Sequence, residues 1–200
     1  MHPASQPVSR RERNKQAKLD RITAAARELF AEHGIDDVTT QQIAEKADIG
    51  AGTLFLYAKS KGELLLLVQN SAYADALAKG TAGAAEARAP LDAVMAIVRP
   101  VVECNRTQIH NGRTYLREIV FGDPNEPHHH AALTLAAGTE AAIADVLQRD
   151  GRTSPKTAAT LARTVSAIMF LTMAASTNTS RATDDLILDI RDQVAAIIPA

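Results

Sequence analysis

From Thr39 to Lys61 the chain reads TTQQIAEKADIGAGTLFLYAKSK. Thr39 followed three residues later by Gln42 is a capping box, so a short helix opens there and runs through Ala47. Asp48, Ile49 and Gly50 supply turn-forming residues around one buried anchor, and a second short helix is expected from Ala51 to about Ala58. Each helix has few inward apolar anchors: Ile43, Ala44 and Ala47 on the first, Ile49 in the turn and Leu54 on the second. The outward positions are small or polar. Ala51, Gly52 and Thr53 would let the second helix bring its backbone close to base edges in a major groove, which is the build of a helix-turn-helix.

Working outward, the same helical periodicity continues on both sides. Ile22, Ala25, Ala26, Leu29, Phe30 and His33 mark one face of a helix over Lys15 to His33, with Gly34 where a C-cap is wanted. Ser60 with Glu63 is a second capping box and opens a fourth helix that continues to about Lys79. The Ala- and Gly-rich stretch from Gly80 to Pro90 reads as a loop or a frayed helix end, which puts a domain boundary near Lys79. Beyond it, Leu91 to Asn105 form another stripe that Pro100 should kink or split. Gly112 to Val120, His128 to Gln148, Ser154 to about Ser176 and a last helix from Thr183 complete the pattern, with Asp150-Gly151 ending the second of these. The expectation is an all-α protein of about nine helices with no strand and no internal repeat. It divides into a disordered basic arm over residues 1–14, a DNA-binding head with its connecting helix over 15–79, and a second helical domain over 80–200.

Composition agrees and excludes several classes. Hydrophobic residues make up 46% of the chain but aromatics only 4%, so Ala, Leu, Ile and Val carry the core, as suits packed helices. A formal net charge of -1 argues against coating nucleic acid or an anionic membrane through bulk charge. The charge is instead local: Arg10, Arg11, Arg13, Lys15, Lys18 and Arg21 stand against only Glu12 and Asp20. This basic arm can track DNA or remain a solvated tail, and both readings stay open. Cys104 is the only cysteine, which excludes an intrachain disulfide and a thiolate metal cage and favours a reducing compartment. Met1 to Ser9 carry no hydrophobic signal core, and polar residues interrupt every apolar run before the ~18 residues of a membrane span. A cytoplasmic protein with no membrane association is expected.

The stretch from Arg21 through Leu65 resembles the TetR family of transcriptional regulators. The likeness rests on Ala25-Ala26, Leu29-Phe30, Gly34, Thr39-Thr40, Ile43-Ala44, Gly52-Thr53-Leu54, Tyr57, Ser60-Lys61 and Glu63-Leu64. It implies a C-terminal ligand-binding and dimerisation domain, a homodimer closed through the last two helices, and double-stranded operator DNA and a small, lipophilic effector as partners. The resemblance implies that Thr40, Tyr57 and Lys61 hold phosphates and that Gln41, Ala51, Gly52, Thr53 and Leu56 face bases. Gly50 and Phe55 belong to the same expected DNA-binding face, but Gly50, Phe55, Leu56 and Ala58 depart from the residues usual in that family; Phe55 lacks the hydroxyl a Tyr would offer a phosphate, and Ala58 leaves less apolar bulk beneath the helix.

The C-terminal half carries no comparable motif. Met95, Val98, Tyr115, Phe121, Met169, Phe170 and Met173 are candidates to line a ligand cavity, with Arg117 and Glu118 as polar contacts, although the same residues would serve as ordinary core and surface. His128, His129 and His130 are adjacent on a helix and point about 100° apart, so they cannot close on one metal ion; a solvated helix start is expected. Cys104 lies in an apolar stripe and reads as a small core residue, on a different face from His110. No cofactor, metal or catalytic group is expected. Two other classes remain as alternatives: a helical ligand-binding or scaffold protein with weakened DNA affinity, and a helical enzyme using acids such as Glu103 and Glu118.

Overall fold

The computed structural model describes residues 9–149 and 151–198. Its helices are α1 (Arg10–Asp37), α2 (Thr40–Lys46), α3 (Ala51–Leu54), α4 (Lys61–Glu86), α5 (Pro90–Arg106), α6 (Ile109–Phe121), α7 (Pro127–Gln148), α8 (Pro155–Ala174) and α9 (Thr183–Ala195), with a 3-10 turn at Ser176–Asn178. Among the described residues there is no strand, and the all-α architecture of nine helices is the one the periodicity requires.

The caps are where the chemistry puts them. Thr39 and Gln42 form a reciprocal box, with the Thr39 N–H donating to Gln42 Oε1 at 2.7 Å and the Gln42 N–H to Thr39 Oγ1 at 3.2 Å. Ser60 Oγ accepts from the Glu63 N–H at 3.0 Å, and Ser154 Oγ from that of Thr157 at 3.2 Å. Gly34 adopts φ 78° and breaks α1 near the expected place, so that Ile35 turns inward to the core.

Four expectations need correction. The first helix starts at Arg10, capped by Ser9, so residues 10–14 of the arm are helical; the Ser9 side chain satisfies the Glu12 N–H and lets the helix begin among the basic residues. Residues 1–8 of that arm lie outside the described part, as does Asp150. The second helix of the helix-turn-helix is regular only over Ala51–Leu54, and Phe55 to Tyr57 continue it as tighter turns, with the Tyr57 N–H reaching Leu54 O at 2.9 Å. The stretch from Gly80 is no loop: α4 runs on to Glu86, and the boundary expected near Lys79 falls within one helix. The reason is packing. α4 makes its most extensive contact with α5, and a Cβ on Gly80 would lie 2.8 Å from Ile97 Cα, so the small residues mark a close helix crossing. Pro100, finally, does not split α5, which is helical from Pro90 to Arg106. The Ala96 carbonyl, deprived of its usual N–H by Pro100, lies on the side facing Gly80.

A continuous apolar cluster joins both halves. In the head, Ile22, Ala26 and Phe30 of α1 meet Ile43, Ala44, Leu54, Leu64 and Leu65. Beyond it, Val94, Ile97, Val98 and Val102 of α5 pack with Ile143, Met169, Met173, Ile187 and Ile190. α4 spans the two, packing against α1 at one end and against α5 and α7 along its length.

Candidate nucleic-acid interface and effector cavity

The head presents the second helix of its motif outward. Leu54 is fully buried and Ala58 nearly so, while Gly50, Gly52, Phe55 and Leu56 are exposed, Leu56 by 83%. Nothing lies within 4 Å of where a Gly52 Cβ would stand, so that backbone is open to an approaching duplex. Ala51, Thr53 and Tyr57 are half-buried around it. The turn before α3 holds Asp48 at φ 52°, and Arg21 of α1 reaches its carboxylate at 3.2 Å. Thr40 and Gln41 open α2, and the Gln41 side chain donates to Glu45 at 2.7 Å.

Two features of this face add to the sequence reading. The Lys61 ammonium rests on the carbonyls of Val38 at 3.1 Å and Asp36 at 3.3 Å, where it fastens the start of α2 to the start of α4. The basic residues also have a definite place: Arg10, Arg11, Lys15 and Lys18 line a groove whose other wall is Thr53, Leu56 and Tyr57. The helical arm and the recognition segment thus border one surface.

An apolar cavity of about 280 Å3 lies among α4 to α8. Tyr115, Met169, Phe170 and Met173 line it as expected, together with Tyr73, Leu116, Ile119 and Leu135, which periodicity alone did not single out. Met95 and Val98 do not reach it; they face the buried core of α5, because the stripe that holds them packs on neighbouring helices. Phe121 is 81% exposed at the end of α6 and borders a separate hollow. The Tyr73 and Tyr115 rings stack at 4.2 Å, 7° from parallel, and burial raises both phenols above their ordinary range. Both hydroxyls therefore act as neutral groups: Tyr73 accepts from Asn105 Nδ2 at 2.5 Å and Tyr115 donates to Asn70 Oδ1 at 2.8 Å.

The cavity walls are tied to the head by polar contacts. Asn70, which receives the Tyr115 hydroxyl, donates to the His128 carbonyl at 2.9 Å. The His128 ring in turn donates to the Tyr57 carbonyl at 2.9 Å, and the His128 backbone N–H donates to Glu63 Oε2 at 3.2 Å. His129 is buried and donates to Ile119 O at 3.1 Å, whereas His130 is exposed. The three imidazoles point to different places, as helix geometry requires, but two of them are fasteners and not a solvated helix start. Lys59 and Glu126 add an ion pair at 2.5 Å, which raises the lysine's proton affinity through that hydrogen bond and charge.

A second fastening lies at the start of α6. Asn111 is buried; it accepts the Ile35 N–H at 2.8 Å and donates to Phe30 O at 2.8 Å, and Gln108 adds a bond to the same carbonyl at 3.1 Å. His110 pairs with Asp36, just before α2. The sequence hid these roles because polar residues on a helix do not announce whether they face solvent or another helix.

The remaining candidates occupy ordinary places. Cys104 is half-buried, and burial pushes its thiol up to about 11, so little thiolate exists at neutral pH. Glu103 pairs with Arg99 along α5, whereas the Glu118 carboxyl lies against Gly62 of α4. Among the described residues, no group of three or more His, Cys, Asp or Glu is placed to hold a metal. α8 is long and apolar enough by composition to cross a membrane.

Comparison with known proteins bears on the head and the fold. The sequence model for bacterial regulatory proteins of the tetR family matches residues 22–68. No curated protein matches the sequence. Among solved structures, the TetR-family transcriptional repressor FadR of Thermus thermophilus, solved in complex with lauroyl-CoA, superposes with a TM-score of 0.72 at 21% identity, over 91% of this chain and 95% of that one. A TetR transcriptional regulator from Rhodococcus sp. RHA1 gives 0.69 at 18% identity over 92% and 96%. A Streptomyces coelicolor regulator of the same family gives 0.64 at 20% identity over 96% of both chains. Residues 22–68 thus match the sequence pattern of bacterial regulatory proteins of the tetR family, and over nine-tenths of its length the chain has the fold of solved structures from that family.

Proposed function

We propose that the protein is a cytoplasmic, homodimeric transcriptional repressor whose two heads read a near-palindromic operator and which a small, lipophilic effector releases from DNA. The observation that carries this reading is α6. Its first turn is fastened to α1 of the head through Asn111 and Gln108, and its middle lines the apolar cavity through Tyr115, Leu116 and Ile119. An effector that displaces this wall moves a helix bonded directly to the DNA-binding unit. Effector and operator then oppose each other, each weakening the other's binding by the same factor.

On the DNA side, Thr40, Tyr57 and Lys61 hold phosphates, while Gln41, Ala51, Gly52, Thr53 and Leu56 face bases. The basic groove of Arg10, Arg11, Lys15 and Lys18 favours a further backbone contact by the start of α1. The dimer closes through α8 and α9, which sets the two recognition segments about 34 Å apart on successive major grooves. No catalytic role is assigned to any residue. The complex of Thermus FadR with lauroyl-CoA supports a lipophilic effector only by analogy of fold.

The test is binding of the purified protein to DNA from immediately upstream of its own gene, across a salt series and against an unrelated duplex. Specific binding with a slope on the order of -7, about eight phosphates neutralised by a dimer, is expected. A second reading, a ligand-binding protein with weakened DNA affinity, has one observation in its favour: Phe55 and Leu56 expose apolar side chains on the recognition face. Equal, weak binding to both duplexes and failure to select any sequence from a random pool would establish that reading instead.

A further inference from the structure

The apolar cavity has a neighbour of different chemistry. A hollow of about 600 Å3 lies between α6 and α8 and shares Leu116, Ala167 and Phe170 with the inner cavity as common wall. The inner walls are mostly apolar, with Glu140 as the carboxylate among their lining residues. The outer hollow adds His110, Arg113 and Arg117, spaced three and four residues apart on one face of α6, and no carboxylate lines it.

Arg113 is the central observation. It is half-buried, and its Nε donates to the Ala174 carbonyl at the end of α8 at 3.0 Å, which fixes the guanidinium plane. Among the described residues its side chain has no carboxylate within ion-pair distance, whereas Arg99, Arg181 and Arg191 each have an aspartate at 2.9 to 3.0 Å. Arg117, one turn along, has only Glu118 at 3.6 Å. A guanidinium held in place beside apolar walls is a fork suited to a carboxylate or phosphate.

We propose that the two hollows form one site for an amphipathic anion, with an apolar chain in the inner cavity and a carboxylate or phosphate head on Arg113 and Arg117. This rests on the reading that the C-terminal cavity receives the effector. At the ~30 Å3 that a water-sized group occupies, the inner volume holds a chain on the order of ten carbons. The chain fits the apolar wall, and the head meets the Arg113 and Arg117 guanidinium groups that border it.

Calorimetric titration of the full-length protein with four ten-carbon probes below their micelle concentrations tests this: decyl phosphate, decanoate, decanol and decyltrimethylammonium. The anions should bind at least tenfold more tightly than decanol, and the stronger of the two identifies the head group. Arg113→Gln combined with Arg117→Gln should abolish that preference while leaving decanol affinity unchanged, which also shows the variant's cavity intact; Arg113→Lys with Arg117→Lys should restore part of it. Equal affinity for decanol or the cation, or a preference that survives the Gln variant, overturns the proposal but leaves the lipophilic-effector reading standing. If no probe binds, both fail, while operator binding on the same preparation still reports on the head. If the Gln variant instead changes the oligomeric state with no effect on the probes, a second copy covers the hollow and the proposal is overturned.

Discussion

Whether alanine improves on glycine in a helix depends on what its methyl group meets. Alanine gains about 1 kcal/mol of helix propensity over glycine, so an exchange within α4 should stabilise wherever space allows. At Gly83 the new Cβ would meet Ala96 Cβ at 3.7 Å, an ordinary contact, and Gly83→Ala should raise stability by up to about 1 kcal/mol. At Gly80 it would stand 2.8 Å from Ile97 Cα and 3.0 Å from Ala96 O, both backbone atoms that cannot step aside. Overpacking of about 1–3 kcal/mol then outweighs propensity, and Gly80→Ala should lower the denaturant midpoint. Equal effects of the two exchanges would mean that the α4–α5 crossing is looser than described. Glu63 poses a similar contest of terms. Burial raises its carboxyl above the ordinary 4.5, outweighing the favourable His128 contacts, with Glu126 adding to the rise. A raised carboxyl contributes stability fully below pH 4.5 and loses it as pH rises through the folded value. Near neutral pH, Glu63→Gln should therefore melt a few degrees higher than the parent, with the advantage gone below pH 4.5. A lower melting temperature at pH 7 would show that the charge at the start of α4, worth about 0.3–1 kcal/mol there, dominates instead.

Elements were legible where a local rule fixed them. The boxes Thr39–Gln42 and Ser60–Glu63 and the Ser154-Pro155 start placed helix starts correctly, and Gly34 placed the break within α1, since each acts through atoms within a turn of itself. The stretch after Lys79 misled because Ala and Gly serve loops and tight crossings alike, and only Ile97, far along the chain, distinguishes them. The cavity was legible in part, through Tyr115, Met169, Phe170 and Met173, but Tyr73 belongs to a helix whose cavity-facing side depends on where α6 lies. His128 and Asn111 escaped notice for the same reason: their partners, Tyr57 O, Ile35 N and Phe30 O, are backbone atoms of other elements. Asn111 allows the coupling of elements to be measured. Asn111→Ala leaves the Ile35 N–H without its acceptor, whereas the Phe30 carbonyl keeps Gln108, so the cost should be about 1–3 kcal/mol by urea unfolding. If α6 transmits the cavity's state, the same variant should also retain operator binding over effector concentrations that release the parent. Release unchanged from the parent would show that α6 is only a structural support, and that the Asn70–His128 contacts carry the signal.

At the scale of the whole molecule, α8 and α9 have apolar surface that one chain does not cover. Only 33% of the most apolar stretch of α8 is buried, and Leu188 of α9 is 56% exposed. Lys156 and Arg163 within α8, and its packing on α7 and α9, make a second copy a better cover than lipid. Leu188→Glu tests this away from the cavity, since Leu188 borders neither hollow. Two glutamates brought together across a two-fold seam would bury unpaired charge, so sedimentation at micromolar concentration should show a monomer with unchanged helical circular dichroism. Operator affinity should then fall by 10²–10⁴, the factor lost when two linked heads become independent, while specificity within a half-site persists. A variant that stays dimeric would put the seam on another face and the heads at another spacing. A monomer that binds DNA as tightly as the parent would show that a single head, helped by the basic start of α1, suffices, and the palindromic operator would lose its physical basis.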